Sequence, residues 1–158
     1  MTERAQTYGP LAAGDLAGMT GLDFLLATAE GRLPEAPIRG LINGRISAAE
    51  KGRVEMLARP TEEHLNPFGA VQGGWYGVVL DSVLGFAIVS CLGEGFSAPT
   101  LEFKVNITRA IPVGMQVLAI GTVSHVGRRT GVSTAEIRGV EDGKLYATGS
   151  TTCINLTP

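Results

Sequence analysis

The sequence is poor in cysteine and histidine. Its 158 residues include only two cysteines, Cys91 and Cys153, and two histidines, His64 and His125. Two isolated cysteines do not make a disulfide framework, and neither histidine stands at metal-ligand spacing from Cys, Asp or Glu. The N-terminus also lacks the apolar segment of a signal peptide. We therefore predict reduced thiols, no bound metal and a cytoplasmic location.

An excess of positive charge is absent as well. Lys and Arg number 13 against 15 Asp and Glu, and the formal net charge is -2. Such a chain does not attract nucleic acid. The sequence also has no Gly-x-Ser-x-Gly elbow, Walker loop or dinucleotide fingerprint, which excludes the serine-hydrolase, nucleotide-hydrolase and Rossmann classes. With 44% hydrophobic residues, it suits one globular domain.

The longest apolar stretch runs from Gly73 to Leu92 and contains one ionisable residue, Asp81. It is too long for a strand, so it predicts a helix that follows the turn at Gly69 and ends at Gly93. A membrane span is the alternative, but an aspartate at the centre of a span costs about 2.5–3.5 kcal/mol. We therefore predict a helix buried in a protein core, with no membrane partner.

Asp81 is a candidate functional residue because an unpaired buried charge is costly. Three glycines share its face of the predicted helix at spacings of three or four, namely Gly74, Gly77 and Gly85. A glycine in a helix interior costs about 1 kcal/mol relative to alanine, so this face is predicted to make room for a ligand or a partner backbone. Close packing of the helix on another helix or on a sheet is the alternative interpretation.

Shorter patterns surround this helix. Leucines at helical spacing predict an N-terminal helix from Gly21 to Glu30, and the segment from Leu41 to Arg59 around Lys51-Gly52 predicts a hairpin. Four further strands are predicted over Thr100–Ile111, Met115–Val126, Thr130–Val140 and Lys144–Ile154. The short turns between them predict an antiparallel meander. The first of these strands alternates apolar and polar residues, so we expect it to have one apolar and one polar face.

The order of these features resembles a known family. A hairpin is followed by the loop Asn66-Pro-x-Gly-x-x-x-Gly-Gly74, an apolar helix with a central acid, and four strands. Together with the runs Thr100–Gly114, Val126–Thr130 and Gly143–Gly149, this is similar to the PaaI-like acyl-CoA thioesterases of the hotdog fold. The resemblance implies an α+β fold, in which an antiparallel sheet of five or six strands wraps around one long central apolar helix, with an extra N-terminal helix. It divides the chain into an extension over residues 1–40 and a single hotdog domain over residues 41–158.

The resemblance also implies an activity and a site. The activity is hydrolysis of an aryl or medium-chain acyl-CoA to the free acid and CoA, without a cofactor, by a homodimer that pairs further into a homotetramer. The implied catalytic groups are the carboxylate of Asp81, the backbone N–H of Gly73 and an orienting side chain at Asn66. The implied substrate and CoA contacts are Gln72, Gly74, Thr100, Arg128, Arg129 and Thr130.

The spacing of two implied catalytic groups adds a constraint. Asp81 and Gly73 are eight residues apart, which places them about 12 Å apart along one helix. They cannot act on one carbonyl within a single chain, so the site is predicted to lie across a dimer interface. Asp81 acts there either as a nucleophile or as a general base, and the sequence leaves both open.

Gln72 departs from the family, which usually has histidine at this position. Glutamine can hold a loop through hydrogen bonds but does not titrate near neutral pH, so we predict a positioning role. The departure keeps open a second hypothesis, a hotdog protein that binds acyl-CoA or another apolar ligand without turnover. A hotdog hydratase or dehydratase ranks last, because the predicted helix contains no histidine.

Overall fold

The computed structural model describes residues 7–12 and 14–156, which form three α-helices, one 3-10 turn and six strands. The helices are α1 (Gly21–Ala29), α2 (Pro37–Leu41) and α3 (Gly73–Val89), and the 3-10 turn is Glu62–His64. The strands are β1 (Gly44–Glu50), β2 (Arg53–Ala58), β3 (Thr100–Ile107), β4 (Val117–Val126), β5 (Thr130–Gly139) and β6 (Leu145–Ile154). No helix in the described ranges is long and apolar enough to cross a membrane.

The first helix lies where the leucine spacing predicts it. It begins with a capping box, in which Thr20 Oγ1 accepts the Asp23 N–H at 3.2 Å and the Asp23 carboxylate accepts the Thr20 N–H at 3.0 Å. The five-residue α2 has no counterpart among the sequence predictions.

The central helix α3 ends at Val89, before the predicted end at Gly93. Its end is fixed by Ser90, whose hydroxyl donates to the Ala87 carbonyl at 2.6 Å and accepts the Gly52 N–H at 2.8 Å. A serine hydroxyl that bonds the backbone competes with helix propagation, so the last predicted turn unwinds.

The sheet is antiparallel throughout, but it is not the predicted meander. Its spatial order is β1-β2-β4-β5-β6-β3, so β3 lies at one edge beside β6 and not beside β4. β3 ends at Ile107, before its predicted end. Beyond it, the Ile111 N–H donates to Tyr76 Oη at 2.8 Å and the Gly114 N–H donates to the Pro60 carbonyl at 2.8 Å. The connection to β4 is therefore a crossover and not a tight turn.

Strand β3 has the predicted alternation, but most of its apolar side chains are exposed. Leu101, Phe103 and Ile107 are 60%, 45% and 48% exposed. Phe103 and Ile107 lie beside α3, since a Cβ added at Gly77 or Gly73 would sit 3.6 Å from their side chains. The single chain thus presents an open strand edge with an apolar face.

Helix α3 packs on one face of the sheet, and the sheet has small residues where they meet. A Cβ added at Gly121 would overlap the Val83 backbone carbonyl, and one at Gly149 would lie 3.3 Å from Leu80. Buried residues on the same face of the sheet include Val117, Ala119, Ala135 and Ala147. The main core therefore lies between α3 and the sheet, as the sequence predicts.

A second apolar cluster holds α1. Phe24 and Leu25 pack there with residues of β1, β2 and α3. Beside it, Glu35 and Arg39 form a buried ion pair, and the Glu35 carboxylate also accepts the Ile46 N–H at 2.7 Å. The division at residue 40 into an extension and a hotdog domain stays a prediction.

The contact at Gly121 provides a test of this packing. We expect Gly121→Ala to lower the free energy of unfolding by about 2 kcal/mol or more, because the added methyl group forces α3 away from the sheet. Gly93→Ala is the matched control, since nothing lies within 4 Å of its added Cβ. Denaturant unfolding at equal protein concentration measures both. A Gly121→Ala variant as stable as the control would contradict the packing.

Candidate active site

Asp81 lies in the middle of α3, on the side next to the edge strand β3. The side chain is half-buried. Thr100, the first residue of β3, donates its hydroxyl hydrogen to Asp81 Oδ1 at 3.0 Å. The fold therefore brings together two of the site residues predicted from the sequence, Asp81 and Thr100. Asp81 Oδ2 makes no hydrogen bond with the described residues.

Cys153 lies behind this pair, which nothing in the sequence indicates. It is paired with Thr100 across strands β3 and β6, and its sulfur is 4.0 Å from Thr100 Oγ1. Burial raises the pKa of the Cys153 thiol, and the nearby Asp81 and Glu102 carboxylates raise it further. Hydrogen bonds with threonine hydroxyls act in the opposite direction but do not cancel this rise. A buried thiol that stays protonated is a poor nucleophile, so the only candidate nucleophile in this cluster of described residues is the Asp81 carboxylate.

The N-terminus of α3 presents unused hydrogen-bond donors. Within the described chain, the Gly73 and Gly74 N–H groups have no acceptor, whereas the Trp75 N–H donates to the Gln72 carbonyl at 2.9 Å. The unused N–H groups lie at the positive end of the helix dipole. This end of α3 can stabilise a negatively charged oxygen.

The loop before α3 is held by residues other than the glutamine side chain. Asn66 Oδ1 accepts the N–H groups of Phe68 and Ala70 at 2.9 and 3.1 Å. Gln72 is exposed; its backbone N–H donates to the His64 carbonyl at 2.8 Å, while its side chain makes no hydrogen bond with the described residues. The oxygen of Asn66 thus shapes the loop, and a positioning role for the Gln72 side chain stays a prediction.

His64 is a structural residue that the sequence did not single out. Its Nε2–H donates to the Leu41 carbonyl at 2.7 Å, and its Nδ1 accepts the Thr61 N–H at 2.8 Å. One donor and one acceptor match the neutral ring. The histidine therefore ties the loop before α3 to the chain that enters β1.

The glycines of α3 are not required for packing within the chain. Nothing lies within 4 Å of a Cβ added at Gly74 or Gly85, and one at Gly77 makes an ordinary contact with Phe103. The glycines that bring α3 and the sheet together belong to the sheet. The face around Asp81 is therefore open in the single chain.

An apolar pocket of about 320 Å³ adjoins the start of α3. Its walls are formed by Ile42, Glu63, His64, Leu65, Gln72, Gly74, Trp75 and Val78. The rings of His64 and Trp75 lie with their centroids 6.2 Å apart. The pocket therefore offers an apolar surface directly next to the unused N–H groups.

The predicted CoA contacts lie at a third place. Arg128 and Arg129 occupy the exposed turn before β5, next to a cleft of about 430 Å³, and neither forms an ion pair with a described residue. Thr130 opens β5 and pairs with Ile154 of β6. Within the described ranges, no group of three Cys, His, Asp or Glu side chains could hold a metal ion.

Comparison with known proteins places this geometry in a family. The family model described as the thioesterase superfamily matches residues 68–146, which is half of the chain and includes Gly73, Asp81, Thr100 and the arginine turn. The chain belongs to the thioesterase superfamily. The matched residues contain α3 and strands β3 to β5, so the family assignment rests on the elements that surround the candidate site.

Individual relatives of this thioesterase agree with that assignment. A phenylacetic acid degradation-related protein from Ralstonia eutropha JMP134 is 29% identical, covers 83% of the chain and 98% of its own, and superposes with a TM-score of 0.75. A Streptococcus mutans UA159 protein bound to acetyl-CoA is 25% identical over 72% of this chain and 89% of its own, with a TM-score of 0.66. Human acyl-coenzyme A thioesterase 13 is 27% identical over 104 residues, 65% of this chain and 72% of that protein.

These findings confirm the hotdog fold and the thioester hydrolase class that the sequence predicts. The roles of the single residues stay predictions. The structure groups them in three places: Asp81 with Thr100, the start of α3 with its loop, and the arginine turn.

Proposed function

We propose that this thioesterase hydrolyses acyl-CoA thioesters, with Asp81 as the catalytic carboxylate. The observation that carries the proposal is the hydrogen bond from Thr100 to Asp81 Oδ1 at 3.0 Å, which orients the carboxylate and leaves Oδ2 for the reaction. The acetyl-CoA bound to the Streptococcus mutans relative and the name of the human relative support CoA as the thiol of the substrate.

Two chemical routes are compatible with this carboxylate. In the first, Oδ2 attacks the thioester carbon, the C–S bond breaks, the thiolate of CoA leaves and takes a proton from solvent, and water then cleaves the acyl–aspartate anhydride. In the second, the carboxylate takes a proton from a water molecule that attacks the thioester directly, and CoA leaves in the same way. Both routes place negative charge on the carbonyl oxygen, so both need a hydrogen-bond donor there.

That donor is the Gly73 N–H of a second copy of the chain. Gly73 and Asp81 of one chain are about 12 Å apart along α3, too far to hold one thioester. Strand β3 supports an interface between copies, because it is a sheet edge with exposed apolar residues beside α3. We therefore propose a homodimer joined along β3, with the homotetramer as a pair of such dimers.

The acyl group occupies the apolar pocket at the start of α3. This pocket adjoins Gly74, next to the donor that binds the carbonyl oxygen. Its volume of about 320 Å³ corresponds to about ten liquid water molecules, which suits an aryl or medium-chain group. The Glu63 carboxylate on its wall disfavours acyl groups that carry a negative charge.

Replacing Asp81 tests the catalytic assignment. We expect Asp81→Asn to lower kcat for acyl-CoA hydrolysis by about 10²–10⁴-fold, because the amide can neither attack nor take a proton. Circular dichroism and gel filtration should show an unchanged fold and oligomer. Glu94→Gln, at an exposed loop position, is the matched control. Wild-type turnover by Asp81→Asn would rule out Asp81 as the catalytic group.

A charged side chain introduced on β3 tests the proposed dimer interface. We expect Phe103→Lys to produce folded monomers without thioesterase activity, since a lysine on the apolar face cannot be buried against a second copy. Light scattering with gel filtration measures the mass, and Ile38→Lys is the control because Ile38 is as exposed as Phe103, at 45%. Active monomers would contradict a site shared between two copies.

The acyl pocket is tested by filling it. Hexanoyl-CoA has four more methylenes than acetyl-CoA, and each contributes about 0.8 kcal/mol when buried, so we expect Val78→Trp to reduce kcat/KM for hexanoyl-CoA by about 100-fold. Hydrolysis of acetyl-CoA should change by less than about threefold. Val140→Trp on the exposed surface is the control, and gel filtration checks the oligomer. An equal loss for both substrates would place the acyl group elsewhere.

A further inference from the structure

A single buried residue, Asn155, holds both ends of the arginine turn. The turn is closed by the Gly127 N–H, which donates to the Thr130 carbonyl at 2.8 Å. The Asn155 backbone N–H donates to the Arg129 carbonyl at 2.8 Å, and its side-chain Nδ2–H donates to the Gly127 carbonyl at 2.8 Å. Asn155 is only 6% exposed, so these bonds are shielded from water.

The cleft beside the turn has the chemistry of a nucleotide site. Arg128 and Arg129 line it with guanidinium groups, which bind phosphate oxygens in a bidentate manner. Ile154 and Leu156 also line the cleft and provide apolar surface. The volume of about 430 Å³ exceeds that of the acyl pocket. Long arginine side chains on an exposed turn lose much freedom on binding, so a fixed backbone beneath them improves affinity.

The same segment connects the turn to the catalytic carboxylate. The Ile154 N–H donates to the Pro99 carbonyl at 3.0 Å and the Leu156 N–H donates to the Ser97 carbonyl at 2.9 Å. Thr100 is the next residue after Pro99, and its hydroxyl donates to Asp81 Oδ1. Residues 154–156 therefore lie between the arginine turn and the start of β3, and they set the distance between the two.

We infer that Asn155 is a positioning residue for CoA, which holds the arginine turn at the correct place relative to Asp81. The inference rests on the proposed function and on the contact of Arg128 and Arg129 with CoA that the family resemblance implies. Asn155 Oδ1 is buried without a partner in the described part of the chain. The side chain therefore acts here through its Nδ2–H donor, which holds the Gly127 end of the turn.

The experiment compares a full and a truncated substrate. For Asn155→Ala we expect KM for hexanoyl-CoA to rise about five- to tenfold, the effect of the one lost side-chain hydrogen bond, with kcat changed by less than about twofold. The kcat/KM for the hexanoyl thioester of N-acetylcysteamine, which lacks the nucleotide, should stay the same. Asn155→Asp, which keeps the shape but removes the Nδ2–H donor, should raise KM in the same direction. Glu141→Ala, at an exposed position of the turn before β6, is the control.

A double-variant comparison separates this inference from the proposed function. Arg128→Ala with Arg129→Ala should raise KM for hexanoyl-CoA, and adding Asn155→Ala should raise it no further, because the two changes act through one turn. An arginine variant with unchanged KM would contradict the proposed CoA contact. A raised KM in the arginine variant together with an unchanged KM in Asn155→Ala would overturn only the inference.

Two other outcomes would also overturn it. One is an equal loss of kcat/KM on the full and the truncated substrate, which indicates a general structural role. The other is failure of both Asn155 variants to fold. If the wild-type protein hydrolyses neither thioester, the proposed function fails, and calorimetric titration with CoA still tests the inference, since Asn155→Ala should weaken CoA binding about five- to tenfold.

Discussion

The close contact between α3 and the sheet is the constraint on which the rest of the structure depends. At Gly121 there is no room for a side chain against the Val83 carbonyl, and at Gly149 little room against Leu80. Because the helix lies so deep on this face, its opposite face remains near the surface. Asp81 sits at the boundary between these two faces, half-buried and hydrogen-bonded to Thr100.

Local chemistry predicts most of the elements but not their spatial order. The turns at Gly52 and Gly143 need positive φ, at +84° and +64°, and glycine marks both in the sequence. These signals give correct hairpins between β1 and β2 and between β5 and β6. The place of β3 is set instead by bonds that its following segment makes with Tyr76 and Pro60, far away in the chain. No local pattern contains that information, so the meander prediction is wrong for β3.

The same distinction applies to the site. Asp81 and the glycines at the start of α3 are visible in the sequence because each breaks a local pattern. Cys153 and Asn155 are not, since they reach the site only through the register of β6 with its neighbours. Asn66 is a middle case: the turn chemistry of asparagine predicts a loop, and its oxygen does bind two N–H groups of that loop.

The distribution of groups along α3 is the reason for proposing two copies of the chain related by one symmetry axis. In each chain Asp81, Thr100 and the arginine turn lie at one end of the strands, because Thr100 and Thr130 pair with the neighbouring residues Cys153 and Ile154 of β6. The unused N–H groups lie at the start of α3. In the proposed dimer, a two-fold axis through the β3 edge makes the two α3 helices antiparallel, so each acid faces the other chain's donors and two complete sites form at once. The open face at Gly74 and Gly85 then has a reason, because side chains there would separate the two helices and widen the gap that the thioester must span.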